Sequence, residues 1–358
     1  MGERSMVIYM KKLRVCMIGC GRISEMYAQV FKELSDLAEV VYAVDTDLNK
    51  AKTFAEQFNG CKAINDYRQC MGDSIDVAHI ATPHYSHHEI AIELMKNKIH
   101  VLTEKPIAIN IPNADRMIST AEEMGIKLGV IFQTRYAKGC THIKNIIDSG
   151  KLGKINCARS YLSWSRDKSY YADSDWKGTW EKEGGGVLID QAIHSIDRIQ
   201  WLVGSDVEWV EGNISNRNHE YLKVEDTAEA LVKFRNGCLY HLYATNCFGY
   251  DAPIELEVVG EYGKVGMKQD LAWVDIDGEE YYEIIEENDE VIPGKAYWGN
   301  THITQIRDFY TSVINNSPVK IDGREGKRAL DIILSIYESS IKNKRIYKDI
   351  MEIGGNHD

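Results

Sequence analysis

The sequence predicts two parts: an α/β domain with a parallel sheet and helices on both faces (residues 1–133), then an α+β domain with a large, mostly antiparallel sheet (residues 134–358). Three observations carry this. From Leu13 to Phe132, short apolar runs alternate with amphipathic stretches, the pattern of repeated β-α units. A glycine turn, Gly19-Cys20-Gly21-Arg22-Ile23-Ser24, sits at the first strand-to-helix junction. From about Gly153, strand-like runs follow one another without helices between them, which favours antiparallel pairing.

In chain order, Leu13 to Ile18 is an apolar strand, and Ile23, Met26, Tyr27, Val30, Phe31 and Leu34 then recur on one helical face. A strand over 40–44 ends in Asp45, followed by a helix over 48–58 and a strand over 76–81. A helix over 86–96, a strand over 99–102, a helix over 112–124 and a strand over 127–132 complete the alternation. The second part shows strands at 155–164, 207–214, 227–234, 238–245 and 254–259. One helix, 187–203, interrupts them and stops at Gly204.

Composition narrows the function. A net charge of −12 with no basic block argues against nucleic acid or anionic membrane as a partner. Met1 to Lys12 lacks the apolar stretch of a signal peptide, and no later run approaches a membrane span. Eight cysteines without a C-x-x-C pair read as reduced thiols, so a cytoplasmic location is expected.

The glycine turn is the first chemical signal. At the start of a helix, free N–H groups and the positive helix end can hold a pyrophosphate. Gly19 permits the turn, Gly21 lets the backbone approach the phosphates, and the small Ser24 stands where a third glycine often packs helix on strand. Asp45 can accept hydrogen bonds from a ribose and would repel a 2′-phosphate, which favours NAD over NADP, with Lys50 nearby.

Thr103-Glu104-Lys105-Pro106 follows a parallel strand, where Lys105 would point into the ligand crevice and favour an alkoxide, and Glu104 could meet a ribose hydroxyl. A solvent-facing Glu-Lys pair is the alternative. In Gly184 to Asp197, three glycines can let the chain pass a flat ligand ring, and Asp190 and His194 share a helix face. His194 can take a hydroxyl proton, Asp190 can bind substrate or tune it, and Asp197 can hold the imidazole from behind. A solvated face with a structural histidine is the competing reading. Trp164, Arg166, Lys168, Tyr170, Tyr171, Trp176 and Trp180, with Tyr297 to His302, offer aromatic faces and polar groups for a sugar, although such aromatics also fill cores. His84, His87 and His88 lack a third ligand type, so no metal is expected.

Together these segments resemble the Gfo/Idh/MocA oxidoreductase family over nearly the whole chain. The resemblance rests on the glycine turn, on Ala81-Thr82-Pro83-His84-Tyr85-Ser86-His87, on Glu104-Lys105-Pro106, on the triple-glycine helix with Asp190 and His194, and on Ile321-Asp322-Gly323-Arg324-Glu325-Gly326. It implies an N-terminal Rossmann domain with NAD contacts at Gly19, Gly21, Arg22, Ile23, Asp45, Thr82, Pro83, His87, Glu104 and Lys105. It implies Lys105, Asp190 and His194 as the catalytic set, with Arg166, Trp176, Tyr297 and His302 facing substrate. His84 stands where family members often show Asn. Homo-oligomers, dimers or tetramers, form in such families through the open face of the C-terminal sheet. The stretch from Tyr170 through Asp175-Trp176-Lys177-Gly178-Thr179-Trp180 to Gly186 is similar to members that oxidise glucosyl rings at C3. The implied activity is therefore NAD-dependent oxidation of a sugar or glycoside ring hydroxyl to a ketone. An inositol or other sugar dehydrogenase, a glycoside hydrolase using transient oxidation, and a non-catalytic nucleotide-binding regulator are the alternatives.

Overall fold

The computed structural model describes residues 12–72, 74–172, 174–285 and 301–348. Tyr297, expected to face substrate, lies outside the described residues. The first part runs β1 (Leu13–Ile18), α1 (Ser24–Glu33), β2 (Ala38–Val44), α2 (Leu48–Ala55), β3 (Lys62–Ile64), β4 (Val77–Ile80), α3 (His87–Lys96), β5 (His100–Thr103), α4 (Ile111–Met124) and β6 (Leu128–Val130). Its six strands are ordered β3-β2-β1-β4-β5-β6 and all pair in parallel. The order reverses between β1 and β4, so a crevice opens beyond their carboxyl ends. Val15, Cys16 and Met17 of β1 are fully buried, as expected of a strand covered on both faces.

The second part continues with α5 (Lys138–Asp148), β7 (Ile155–Ser163), a short α6 (Lys168–Ala172), α7 (Ile193–Val203), β8 (Val207–Ser215), β9 (Thr227–Phe234) and β10 (Leu239–Thr245). Then come β11 (Glu255–Gly260), β12 (Gly263–Lys268), β13 (Leu271–Ile276), β14 (Tyr282–Ile285), α8 (Thr301–Ile314), α9 (Gly323–Lys342) and β15 (Ile346–Tyr347). Its nine-stranded sheet is ordered β14-β13-β12-β11-β7-β10-β9-β8-β15, and every pairing except β7 with β10 is antiparallel. No helix among the described residues is long and apolar enough to cross a membrane, and all eight cysteines are free thiols.

The last helices return to the parallel sheet. Ile306, Phe309 and Tyr310 of α8 are buried in the cluster that holds Val15, Met17 and Leu34. Gln305 accepts from Phe132 N at 3.1 Å and donates to Val130 O at 2.8 Å, so one side chain satisfies the backbone at the edge of β6. Asp322 caps α9 by accepting from Glu325 N at 2.9 Å, while Val130 N donates to Ile321 O at 3.1 Å. The segment 321–326 is thus the joint that seats α9 on β6.

Candidate active site

A cleft of about 970 Å³ runs along the crevice between the two sheets' helices and loops. At one end stands the glycine turn. Gly19 has φ +95°, and a Cβ there would lie 2.6 Å from Ala81 O, so β4 approaches too closely for a side chain. Nothing lies within 4 Å of the Cβ position of Gly21, so the turn is open on its outer side. The N–H groups of Gly21, Arg22 and Ile23 reach no acceptor among the described residues. Such donors at the start of α1 are what a pyrophosphate requires.

Asp45 fixes this turn from the end of β2. Its Oδ2 accepts from Cys20 N and its Oδ1 from Asp47 N, each at 2.9 Å. Each oxygen retains a lone pair for a ribose hydroxyl. Thr82, Pro83, Glu104 and Lys105 also line the cleft, with Arg22 and Ile23. Glu104 is buried and accepts from Tyr27 OH at 2.7 Å. Burial raises its pKa, against the pull of that hydrogen bond and of Lys105. His87 does not join them: it is buried, with Nδ1 2.8 Å from Pro106 O and Nε2 2.8 Å from Thr82 O. It clamps the loops that present their neighbours.

Midway, residues from both parts converge on Asp190. Lys105, whose peptide bond to Pro106 is cis, donates from Nζ to Asp190 O at 2.6 Å and Oδ1 at 3.2 Å. From the other side Lys177 Nζ lies 2.6 Å from Asp190 Oδ2, Tyr170 OH 2.8 Å and Gln191 Nε2 2.7 Å. Burial opposes the charge of Asp190, but the Lys177 and Lys105 ammoniums outweigh it and hold the carboxyl well below its usual range. Neither Lys177 nor Tyr170 was singled out for this role by the sequence. The available signal was Lys177 directly after Trp176 in the aromatic stretch from Tyr170 to Trp180; in the fold its Nζ lies 4.8 Å from the Trp176 ring and 4.5 Å from that of Tyr170.

His194 faces the same cleft one turn beyond Asp190. The expected helix over 187–203 is continuous, but its first part, Leu188–Ala192, is a π-turn that runs directly into α7. The wider turn forms where Glu225 accepts from Gly186 N at 2.9 Å and Leu188 N at 3.1 Å. Burial first, then the charges of Lys105 and Arg198, push the imidazole pKa well below its ordinary value, so the ring is neutral at neutral pH. Its Nδ1 is buried and makes no hydrogen bond among the described residues.

Two expectations are corrected here. Asp197 does not back His194: its carboxylate is fully buried against Arg135, accepting from Nε at 2.8 Å and Nη2 at 2.6 Å. Arg135 Nη1 also donates to Glu325 Oε2 at 2.8 Å, so the pair ties α7 to α9. Asp197→Ala is expected to lower unfolding stability by roughly 3–5 kcal/mol, because it strips a buried guanidinium of its main partner; urea denaturation measures this. The triple glycine does not pass a ligand ring either, since none of the three lines the cleft. A Cβ on Gly184 would meet Ile109 at 2.7 Å, on Gly185 Tyr337 OH at 2.0 Å, and on Gly186 Glu225 O at 1.9 Å. These glycines are demanded by close protein packing.

The other candidates fall around the cleft. Trp176 lines it with its ring 4.7 Å from that of His84, whose Nδ1 lies 2.8 Å from Glu183 O. Arg166 lines it too, paired with Asp251 at 2.7 Å and stacked 4.6 Å over Trp164. His219 Nε2 lies 2.7 Å from Arg166 O, which steadies that strand end. His302 is buried beside Tyr27, ring centroids 6.3 Å apart, and completes the wall near the glycine turn.

The sequence matches two family models. Residues 13–132 match the oxidoreductase family with an NAD-binding Rossmann fold, and residues 140–266 match the GFO/IDH/MocA C-terminal domain. The chain belongs to the GFO/IDH/MocA oxidoreductases. Its cofactor is NAD, and the open glycine turn with its three unclaimed N–H groups fits that group. Myo-inositol 2-dehydrogenase of Thermotoga maritima is 25% identical over 94% of this chain and 98% of its own. D-glucoside 3-dehydrogenase of Escherichia coli K12 is 29% identical over 54% of each chain. The WlbA dehydrogenase of Bordetella pertussis, solved with NADH and UDP-GlcNAcA, superposes with a TM-score of 0.85 at 26% identity, covering 96% of this chain and 99% of that one.

Within this oxidoreductase, Asp45→Ala is expected to weaken NAD binding about tenfold to a hundredfold, the value of a charge-assisted hydrogen bond. It should also relax discrimination against NADP. Fluorescence titration with NADH and NADPH measures both effects.

Proposed function

We propose that this chain is an NAD-dependent dehydrogenase that oxidises a ring hydroxyl of a sugar or glycoside to a ketone, at C3 of a glucosyl unit. The observation that carries the reading is the meeting of Lys105, Asp190 and His194, from separate parts of the chain, in the cleft that begins at the glycine turn. Relatives named for myo-inositol and for a D-glucoside support the substrate class.

Lys105 spends two of its three donors on Asp190, which leaves one N–H for the reacting hydroxyl. An ammonium at that oxygen favours the alkoxide as the C–H bond breaks. His194, kept neutral by burial, takes the hydroxyl proton. Asp190 holds Lys105 in place and balances its charge, while Lys177 and Tyr170 hold Asp190. NAD, when bound, supplies the hydride acceptor at nicotinamide C4. Trp176 and Arg166 present a flat face and a fixed cation to the rest of the ring. The open face of the nine-stranded sheet, where Leu231 is exposed, is the surface through which we propose homo-oligomers form.

A panel of glucosides, free sugars and cyclitols assayed for NADH, with the oxidised carbon located by NMR, tests the reading. A 3-keto product with equimolar NADH supports it. Released aglycone without net NADH would replace it with a hydrolase using transient oxidation. Nucleotide binding with no turnover on any substrate would leave a regulator.

A further inference from the structure

The turn of α7 after His194 carries Arg198, four residues on and therefore on the same side of the helix. The residue is 6% exposed and lines the cleft together with Ile254, Met267 and Gln269. The cations around it are matched. Lys105 and Lys177 share Asp190, Arg166 has Asp251, and Arg135 has Asp197. Arg198 differs. Among the described residues its hydrogen-bond contact is Met267 Sδ, 3.8 Å from Nη1, and its buried Nε reaches no acceptor there. Asp197, next in sequence, is committed to Arg135 by two hydrogen bonds. Asp270 also lines the cleft, exposed, without a hydrogen bond to the guanidinium.

Arginine stays protonated at neutral pH even where burial lowers its pKa, as it does here. Asp197 and Asp270 attract this cation without a hydrogen bond to it among the described residues, and a buried guanidinium with unmet donors is costly to the fold; such costs persist where a ligand removes them. The planar fork of a guanidinium matches the two oxygens of a carboxylate or phosphate. Met267 against it shields such a pair from water and so strengthens it.

We propose that Arg198 binds an oxyanion carried by the substrate, a carboxylate or a phosphate, and that the cleft selects anionic sugars over neutral ones. This rests on the reading of the cleft as a sugar site, and it narrows the substrate from glucosides in general to those that are negatively charged.

The test titrates the protein–NADH complex by calorimetry with methyl β-D-glucuronoside, glucose 6-phosphate and methyl β-D-glucoside. One of the two anionic probes is expected to bind on the order of tenfold to a hundredfold tighter than the neutral glucoside, and which one does so identifies the oxyanion. In Arg198→Met that preference is expected to vanish, and in Arg198→Lys to survive in part. Equal affinities in the native protein, no binding of either anion, or an unchanged preference in Arg198→Met would each overturn the proposal. A merely structural arginine would instead show as a lowered melting temperature in Arg198→Met with the preference intact. If that variant does not fold, the affinities of the native protein decide alone. NADH formation is read separately: selective binding without oxidation would sink the dehydrogenase reading and leave the anion site standing.

Discussion

Lys105→Met is expected to lower kcat/KM for the oxidised sugar by about 10²–10³, the effect of removing one preorganised donor from a developing oxyanion. Methionine keeps much of the side chain's length and apolar body, so the cleft retains its shape. The neighbourhood should survive, because Asp190 keeps Lys177 at 2.6 Å and Tyr170 at 2.8 Å after the second ammonium is gone. Unfolding stability therefore separates the two outcomes: a large loss of rate with a small change in stability supports a role at the hydroxyl. Arginine should not rescue, since its broad fork cannot place a single N–H where the Nζ of Lys105 sits between Asp190 O and Oδ1. A full-rate Lys105→Met enzyme would remove the residue from the reaction.

The legibility of this molecule followed the reach of local patterns. The parallel strands β1, β2, β4, β5 and β6 are continuous apolar runs with helices between them, and periodicity finds them. Helices α8 and α9 were not read, because their meaning is tertiary. Tyr310 and Gln305 matter through His79 and the edge of β6, more than 170 residues away. Strands β12 to β14 escaped because Gly263, Gly266 and short polar turns break their alternation.

The site was half legible for the same reason. Gly19, Lys105, Asp190 and His194 announce themselves by residue type at strand and helix ends. Their neighbours do not. Asp197 and His194 are three apart and share a face in an ideal helix, yet Asp197 meets Arg135, which no spacing rule connects to it. The triple glycine signals a tight backbone, and sequence alone cannot say whether a ligand or Tyr337 and Glu225 press against it. Lys177 reaches Asp190 through the loop before the glycines, a contact that depends on how that loop folds back.

His194→Gln is expected to lower kcat by about 10²–10⁴, the range for loss of a positioned general base, with NADH affinity within a few-fold of the native protein. Glutamine keeps the size and polarity of the side chain and cannot take a proton, so the variant isolates basicity. The pH profile of the native enzyme tests the same assignment independently. Burial dominates the environment of His194, the positive charges of Lys105 and Arg198 and the ring of His302 add to it, and Asp190 pulls more weakly the other way. The folded-state pKa is therefore depressed, and the ring stays neutral and able to accept a proton as the pH falls through the ordinary histidine value of about 6.5. The acid limb of kcat/KM should accordingly lie below that value in the native enzyme and disappear in His194→Gln. An acid limb at or above 6.5, or one that persists in the variant, would assign the proton to another group in the cleft.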